Sequence, residues 1–211
     1  MRVAIFIDGE FFLRRIGSSV RDDAVKVADA IEERVQSYLK VDGTSELYRI
    51  FFYDCAPLKE LVVNPISKSS VDLSKTEVAR FRDKLHKELR HRRKIAVRLG
   101  KLSLRGKWKI RPKLMESLLA GKTISSLTEM DVKLDVVQKQ VDMMVGIDIA
   151  SVAFKRQAER VILIAGDADF VPAAKLARRE GIDFILDSMH NPIKPELHEH
   201  IDGLWEEIAS M

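Results

Sequence analysis

The chain has 211 residues, 46% of them hydrophobic and 32% charged, which is enough apolar material for a packed core and excludes a disordered chain. A single cysteine, Cys55, excludes an intrachain disulfide framework and a cysteine-based zinc site. The apolar run before Asp8 is too short for a signal peptide, and no later run reaches the roughly 18 apolar residues of a membrane span, so the sequence predicts a cytoplasmic protein with no membrane partner.

The formal charge is only +4, but its distribution is uneven. Between Lys84 and Lys113 the basic residues include Lys84, Lys87, Arg90, Arg92, Arg93, Lys94, Arg98, Lys101 and Arg105, with Glu88 as the only acid. Such a block suits either a polyanion or a solvated helix face followed by a basic hairpin.

In chain order, Val3–Ile7 is a short run rich in branched residues that ends at Asp8-Gly9, as expected for a buried parallel strand closing in a turn. Phe11–Ile16 opens a helical turn. Val25, Ala28, Ile31, Val35 and Leu39 have the spacing of an amphipathic helix over Asp22–Lys40. Glu46–Tyr53 reads as a central strand. Asp54–Asp72, with two prolines and several serines, reads as a long loop. Ser74–Arg90 is helical, with Ser74 and Glu77 as a capping box. Ile95–Leu99 is a strand, Lys101–Ile110 a hairpin around Arg105-Gly106, Pro112–Leu119 a helical turn, and Gly121–Asp131 a polar connection. Lys139–Arg156 reads as one helix. Val161–Ala165 is a second buried strand ending at Gly166-Asp167. Pro172–Arg179 is a helix stopped by Gly181, and Ile182–Leu186 is a further strand. Alternating strands and helices predict an α/β domain whose ligand site lies outside the carboxyl ends of parallel strands.

Two of those ends carry aspartate. Asp8 closes the first strand, where an unpaired carboxylate requires a cation, a metal or water. Asp167 and Asp169 follow the Val161–Ala165 strand. They share one side if the backbone stays extended, whereas a helix starting there would use one of them as a cap. In K-Q-V-D-M-M-V-G-I-D, Asp142 and Asp148 are about 120° apart on an ideal helix, so they do not share a face. Asp148 is therefore either a ligand or a supporting residue. Clustered carboxylates repel one another, and hard divalent cations such as Mg²⁺ and Mn²⁺ prefer oxygen ligands.

VAIFIDGEFF, KQVDMMVGIDIA and VILIAGDADFVPAAKLARREGIDFILD together resemble the NYN domain family, a LabA-like branch of the PIN-like ribonucleases. The resemblance implies a PIN-like three-layer α/β/α sandwich with a mostly parallel central sheet. It also implies Mg²⁺- or Mn²⁺-dependent hydrolysis of RNA. By that match Asp8, Asp142, Asp167 and Asp169 are the catalytic and metal-binding set, with Asp148 as a further ligand, and Lys139 occupies the lysine of the K-x-V-D pattern. Many relatives carry D-G-x-N at the first strand end, whereas this chain has Asp8-Gly9-Glu10-Phe11. Residues 1–211 are expected to form one such domain, with a basic, less family-like insertion at about 54–131. Arg14, Arg15, Lys139 and the stretch containing Arg90, Arg92, Arg93, Lys94 and Arg98 are expected to guide the RNA backbone. A catalytically weak or inactive RNA-binding regulatory module of the same fold is the alternative, and a homodimer is left open. A haloacid-dehalogenase-like phosphatase would need a second Asp where Glu10 stands, and a response regulator would need a lysine at a late strand end.

Overall fold

The computed structural model of the protein describes residues 1–41, 43–121 and 123–209; Lys122, within the predicted polar connection, lies outside them. The chain begins with β1 (Arg2–Asp8), α1 (Gly9–Arg15), α2 (Ser18–Arg21), α3 (Ala24–Lys40) and β2 (Glu46–Ala56). Next come a small hairpin, β3 (Leu61–Val63) and β4 (Ser70–Asp72), then α4 (Glu77–His91), β5 (Ile95–Ile110) and α5 (Pro112–Leu119). The second half holds β6 (Val132–Lys139), α6 (Val141–Phe154), β7 (Arg160–Ile164), α7 (Val171–Arg179), β8 (Asp183–Asp187), α8 (Pro195–His198), β9 (Gly203–Leu204) and α9 (Trp205–Ile208).

The central sheet has the strand order β6-β5-β2-β1-β7-β8-β9. Every pairing is parallel except β5 with β6. The period of two sorts β1 and β2 cleanly between two cores. Ala4, Phe6, Phe51 and Tyr53 pack on one face with Val145 and Ile149 of α6. Val3, Ile5, Ile7, Ile50 and Phe52 pack on the other with Val27 and Ile31 of α3 and Leu85 and Leu89 of α4. Each of the buried Val, Leu, Ile and Phe side chains among them contributes about 1.5–3 kcal/mol. The result is the expected three-layer α/β/α sandwich. Chain progression departs from β1 in both directions, to β2 and β5 on one side and to β7 and β8 on the other, so the strand order switches beside β1.

Several local expectations are corrected. The predicted loop after Asp54 contains the β3–β4 hairpin. α4 begins at Glu77, capped by Thr76, whose hydroxyl accepts from the Ala79 amide at 3.2 Å; Ser74 instead bonds to Asp72. Arg105-Gly106 is a bulge and not a hairpin turn. Leu104 pairs with Val136 and Trp108 with Leu134, while Gly106 (φ 68°) and Lys107 (φ 63°) absorb the extra residues in left-handed conformations. β5 therefore runs on for 16 residues and pairs with β6, a strand missed in the sequence. Lys139 consequently ends a strand and does not begin a helix. The 54–131 segment supplies α4 and β5 to the sandwich. Among the described residues no helix is long and apolar enough to cross a membrane.

Candidate active site

Asp8 and Asp167 stand at the carboxyl ends of adjacent strands. β1 stops because Gly9 turns the chain directly into α1, and Asp8 caps that helix: its Oδ1 accepts the Phe11 amide at 3.0 Å. Only glycine fits position 9, since a Cβ there would lie 2.6 Å from the Tyr53 carbonyl oxygen and 2.7 Å from Cζ of Phe52. Asp167 follows β7 and caps a short 3₁₀ turn, accepting from the Asp169 amide at 3.3 Å. Asp142 lies in the first turn of α6. Between β6 and α6 there is a single residue, Gln140, in the left-handed conformation (φ 77°), so Lys139 and Asp142 sit on opposite sides of a sharp strand-to-helix turn.

Asp8, Asp142 and Asp167 line one cavity of about 800 Å³ at this edge of the sheet. Burial, and then the charges of Asp142 and Glu10, push the Asp8 carboxyl up, although the Phe11 and Glu10 amides oppose this. Partial loss of water, then the charges of Asp169 and Asp167, push Asp142 up. Asp8, Asp142, Asp167 and Asp169, from three segments, therefore share one electrostatic neighbourhood, although Asp169 does not itself line the cavity. They have the hard oxygen chemistry of a divalent-cation site. Yet among the described residues no three acidic or histidine side chains stand close enough to enclose an ion.

Asp148 does not belong to this group. It accepts from the Tyr53 hydroxyl and from Arg98 Nε, both at 2.9 Å, and it does not line the cavity. Burial and then Asp148 raise the Tyr53 phenol, which stays a donor. Arg98 is correspondingly committed to Asp148 and to the face of Phe51.

The predicted basic stretch is also elsewhere. α4 begins at the cavity with Thr76, Val78 and Ala79 and runs 15 residues, about 22 Å, to the opposite end of the sheet. Arg92 there is held by Asp29, Glu32 and Glu88 at 2.8–2.9 Å. Lys94 bonds to the Leu47 carbonyl and faces Glu46 at 3.6 Å. Arg90 and Arg93 are exposed at that far end. A contiguous charge run in sequence was thus split by the helix axis.

Arg14 and Arg15 do line the cavity. Arg14 pairs with Glu10 at 2.7 Å, and the Arg15 guanidinium lies 3.7 Å over the Phe11 ring. Phe11 packs under Gly166, where a Cβ would collide with its ring. Three residues that the sequence did not assign to the site, Asp54, Arg82 and His86, cluster at its edge, where Asp54 and Arg82 line the cavity with Asp8. Asp54 lies within β2, two residues before its end, and is 3% exposed; its Oδ2 accepts from His86 Nε2 at 2.7 Å and from Arg82 Nη1 at 2.5 Å. Arg82 also donates to Glu10 at 2.6 Å. His86 and Arg82 hold the Asp54 carboxyl below its usual range against the opposing effect of burial. Glu10 is thus clamped between two arginines. Asp54 was read as the start of a loop, whereas β2 continues through it to Ala56.

No curated protein matches the chain. Among solved structures it is similar to a protein of unknown function from Vibrio parahaemolyticus, at 15% identity over 96% of this chain and 90% of that one, with a TM-score of 0.45. A family model described as the NYN domain matches residues 2–199, nearly the whole chain and all four clustered aspartates. The chain therefore belongs to the NYN domain family, a PIN-like family of nuclease type.

Proposed function

We propose that this protein is a Mg²⁺- or Mn²⁺-dependent ribonuclease. The carrying observation is that Asp8, Asp142 and Asp167, from three distant segments, line one cavity at the switch in strand order. In this reading Asp8, Asp142 and Asp167 hold the ion directly or through water, and Asp169 ligates or orients the attacking water. A bound ion lowers the pKa of a water and offsets the charge that gathers on the phosphate oxygens. Asp8 keeps one oxygen on the Phe11 amide, which fixes its rotamer toward the cavity. Arg14 and Arg15 lie on the cavity wall, where a guanidinium suits a backbone phosphate. Lys139 stands one tight turn from Asp142.

The test is cleavage of labelled single-stranded and structured RNA with Mn²⁺, Mg²⁺ or EDTA, beside Asp8→Asn and Asp167→Asn. Metal-dependent cutting that both variants lose supports the enzyme. The second reading, an RNA-binding module with weak or no activity, is favoured by the missing family asparagine after Asp8-Gly9 and by the lack, among the described residues, of three side chains grouped to hold an ion. RNA binding with no cutting under any metal would select it.

A further inference from the structure

α6 leaves an apolar face uncovered. Val141, Val145, Ile149 and Val152 turn inward to the core. On the outer side Met143, Ile147 and Phe154 are 70%, 59% and 63% exposed, and Ala150 between them is half-buried. These four positions fall within about 60° of one another around the helix axis. Their spacings of four, three and four are those of a coiled-coil seam. A helix that is apolar all round is normally a buried one.

We propose that two copies of this chain pair through α6, antiparallel, about a two-fold axis level with the Asp148–Ile149 bond. A two-fold interface must be its own complement. In this register Ile147 of each copy faces the small Ala150 of the other, and Met143 faces Phe154, so bulk meets space at the centre and the long side chains close the ends. Charge selects the same direction. Asp142 is exposed at the start of α6, and Lys155 and Arg156 are exposed just past its end. Antiparallel pairing sets each acidic end beside a basic end and opposes the helix dipoles, whereas parallel pairing would stack Asp142 on Asp142.

The area suffices. A large side chain exposes about 200 Å² when free, so Met143, Ile147 and Phe154 present roughly 380 Å² together. A stable dimer buries about 800 Å² per partner, of which roughly 450–500 Å² is apolar, so these three side chains supply most of that core. The inference does not rest on the ribonuclease reading. It does place the two Asp142 residues about 20 Å apart along the helix axes, with the partner's basic end beside each.

The experiment is sedimentation velocity of the full chain from nanomolar to submillimolar concentration, beside Ile147→Glu and, on the opposite layer, the exposed Val25→Glu as control. The unmodified chain and the control should dimerise. Ile147→Glu should weaken the dimer by roughly 100-fold, since each dimer carries the change twice, with an unchanged circular dichroism spectrum. Direction is read by oxidative crosslinking, because the native Cys55 is buried. A mixture of Ile147→Cys and Ala150→Cys chains should crosslink, and Met143→Cys alone should not. A monomer at every concentration overturns the proposal, as does a dimer that Ile147→Glu leaves intact. Crosslinking of Met143→Cys to itself overturns the antiparallel register. A monomer that binds phosphatidylcholine vesicles and loses them on Phe154→Ser assigns the face to a lipid surface and overturns the pairing.

Discussion

Two glycines near the acidic cluster should respond to alanine with opposite signs. Gly9 follows Asp8, and a Cβ there would sit 2.7 Å from Cζ of Phe52 and 2.6 Å from the Tyr53 carbonyl oxygen. Carbon contacts settle near 3.5 Å, so the shortfall against Phe52 is about 0.8 Å. The ring is fully buried and the carbonyl belongs to β2, so neither yields freely. The displacement falls on the β1–α1 turn and thus on Asp8. Overpacking of this kind costs about 1–3 kcal/mol, or a melting temperature lower by about 2–12 °C in a chain this size. A misplacement near 1 Å at a reacting centre costs about 100-fold in rate. Gly146 lies in α6, one turn beyond Asp142, and a Cβ there meets nothing within 4 Å. Gly146→Ala should therefore stabilise by about 0.5–1 kcal/mol through helix propensity. Thermal denaturation and initial rates of RNA cleavage read both variants. If Gly9→Ala melts and cuts like the unmodified chain, the turn has slack and the argument that it fixes Asp8 is wrong. A destabilised Gly146→Ala would show that the space beside Asp142 is not open.

Because burial and the charge of Asp142 push Asp8 up, and burial and the charges of Asp169 and Asp167 push Asp142 up, Asp8→Asn or Asp142→Asn should leave the metal-free protein as stable or more so. Each should also shrink the rise in melting temperature caused by Mn²⁺; a variant that melts well below the unmodified chain without metal contradicts this. Asp54→Asn should destabilise by about 3–5 kcal/mol, because it leaves Arg82 and His86 without their shared carboxylate; urea midpoints measure it. Asp54 is depressed in the folded state, so its contribution is full above the unfolded value of about 3.9 and fades as pH falls through the lower folded value. A midpoint-against-pH curve that Asp54→Asn leaves unchanged on the acid side would refute that assignment. Gln140→Gly should stabilise by about 1 kcal/mol, since only glycine adopts φ near 77° without penalty, and calorimetry would detect it.

Much of the sandwich was legible because its strands are buried on both faces and read as continuous apolar runs. RVAIFID and RVILI announced β1 and β7, and the carboxylates at their ends followed from the rule that parallel sheets bind at strand termini. β6 was not legible. VKLDVVQK alternates weakly, is half exposed, and depends for its pairing on a partner some thirty positions earlier. The bulge at Arg105–Lys107 has the composition of a turn, and nothing local distinguishes the two, because the difference lies in which strand supplies the opposing hydrogen bonds. The basic stretch was misplaced for a similar reason: residues adjacent in sequence at the end of a 15-residue helix lie a helix length away from residues at its start.

By itself the sequence determined most of the alternation of strands and helices and the family resemblance, and it offered the acidic residues as candidates, since hydrophobic period and motif are local properties. Tertiary structure alone decided which of those acids share solvent and which are neutralised. Asp142 and Asp148 lie on one helix, yet one faces carboxylates and the other faces Arg98 and Tyr53. Charge acts through distance and dielectric and not through sequence separation, so only the packing of β5 and β7 around β1 could assign each aspartate its neighbours.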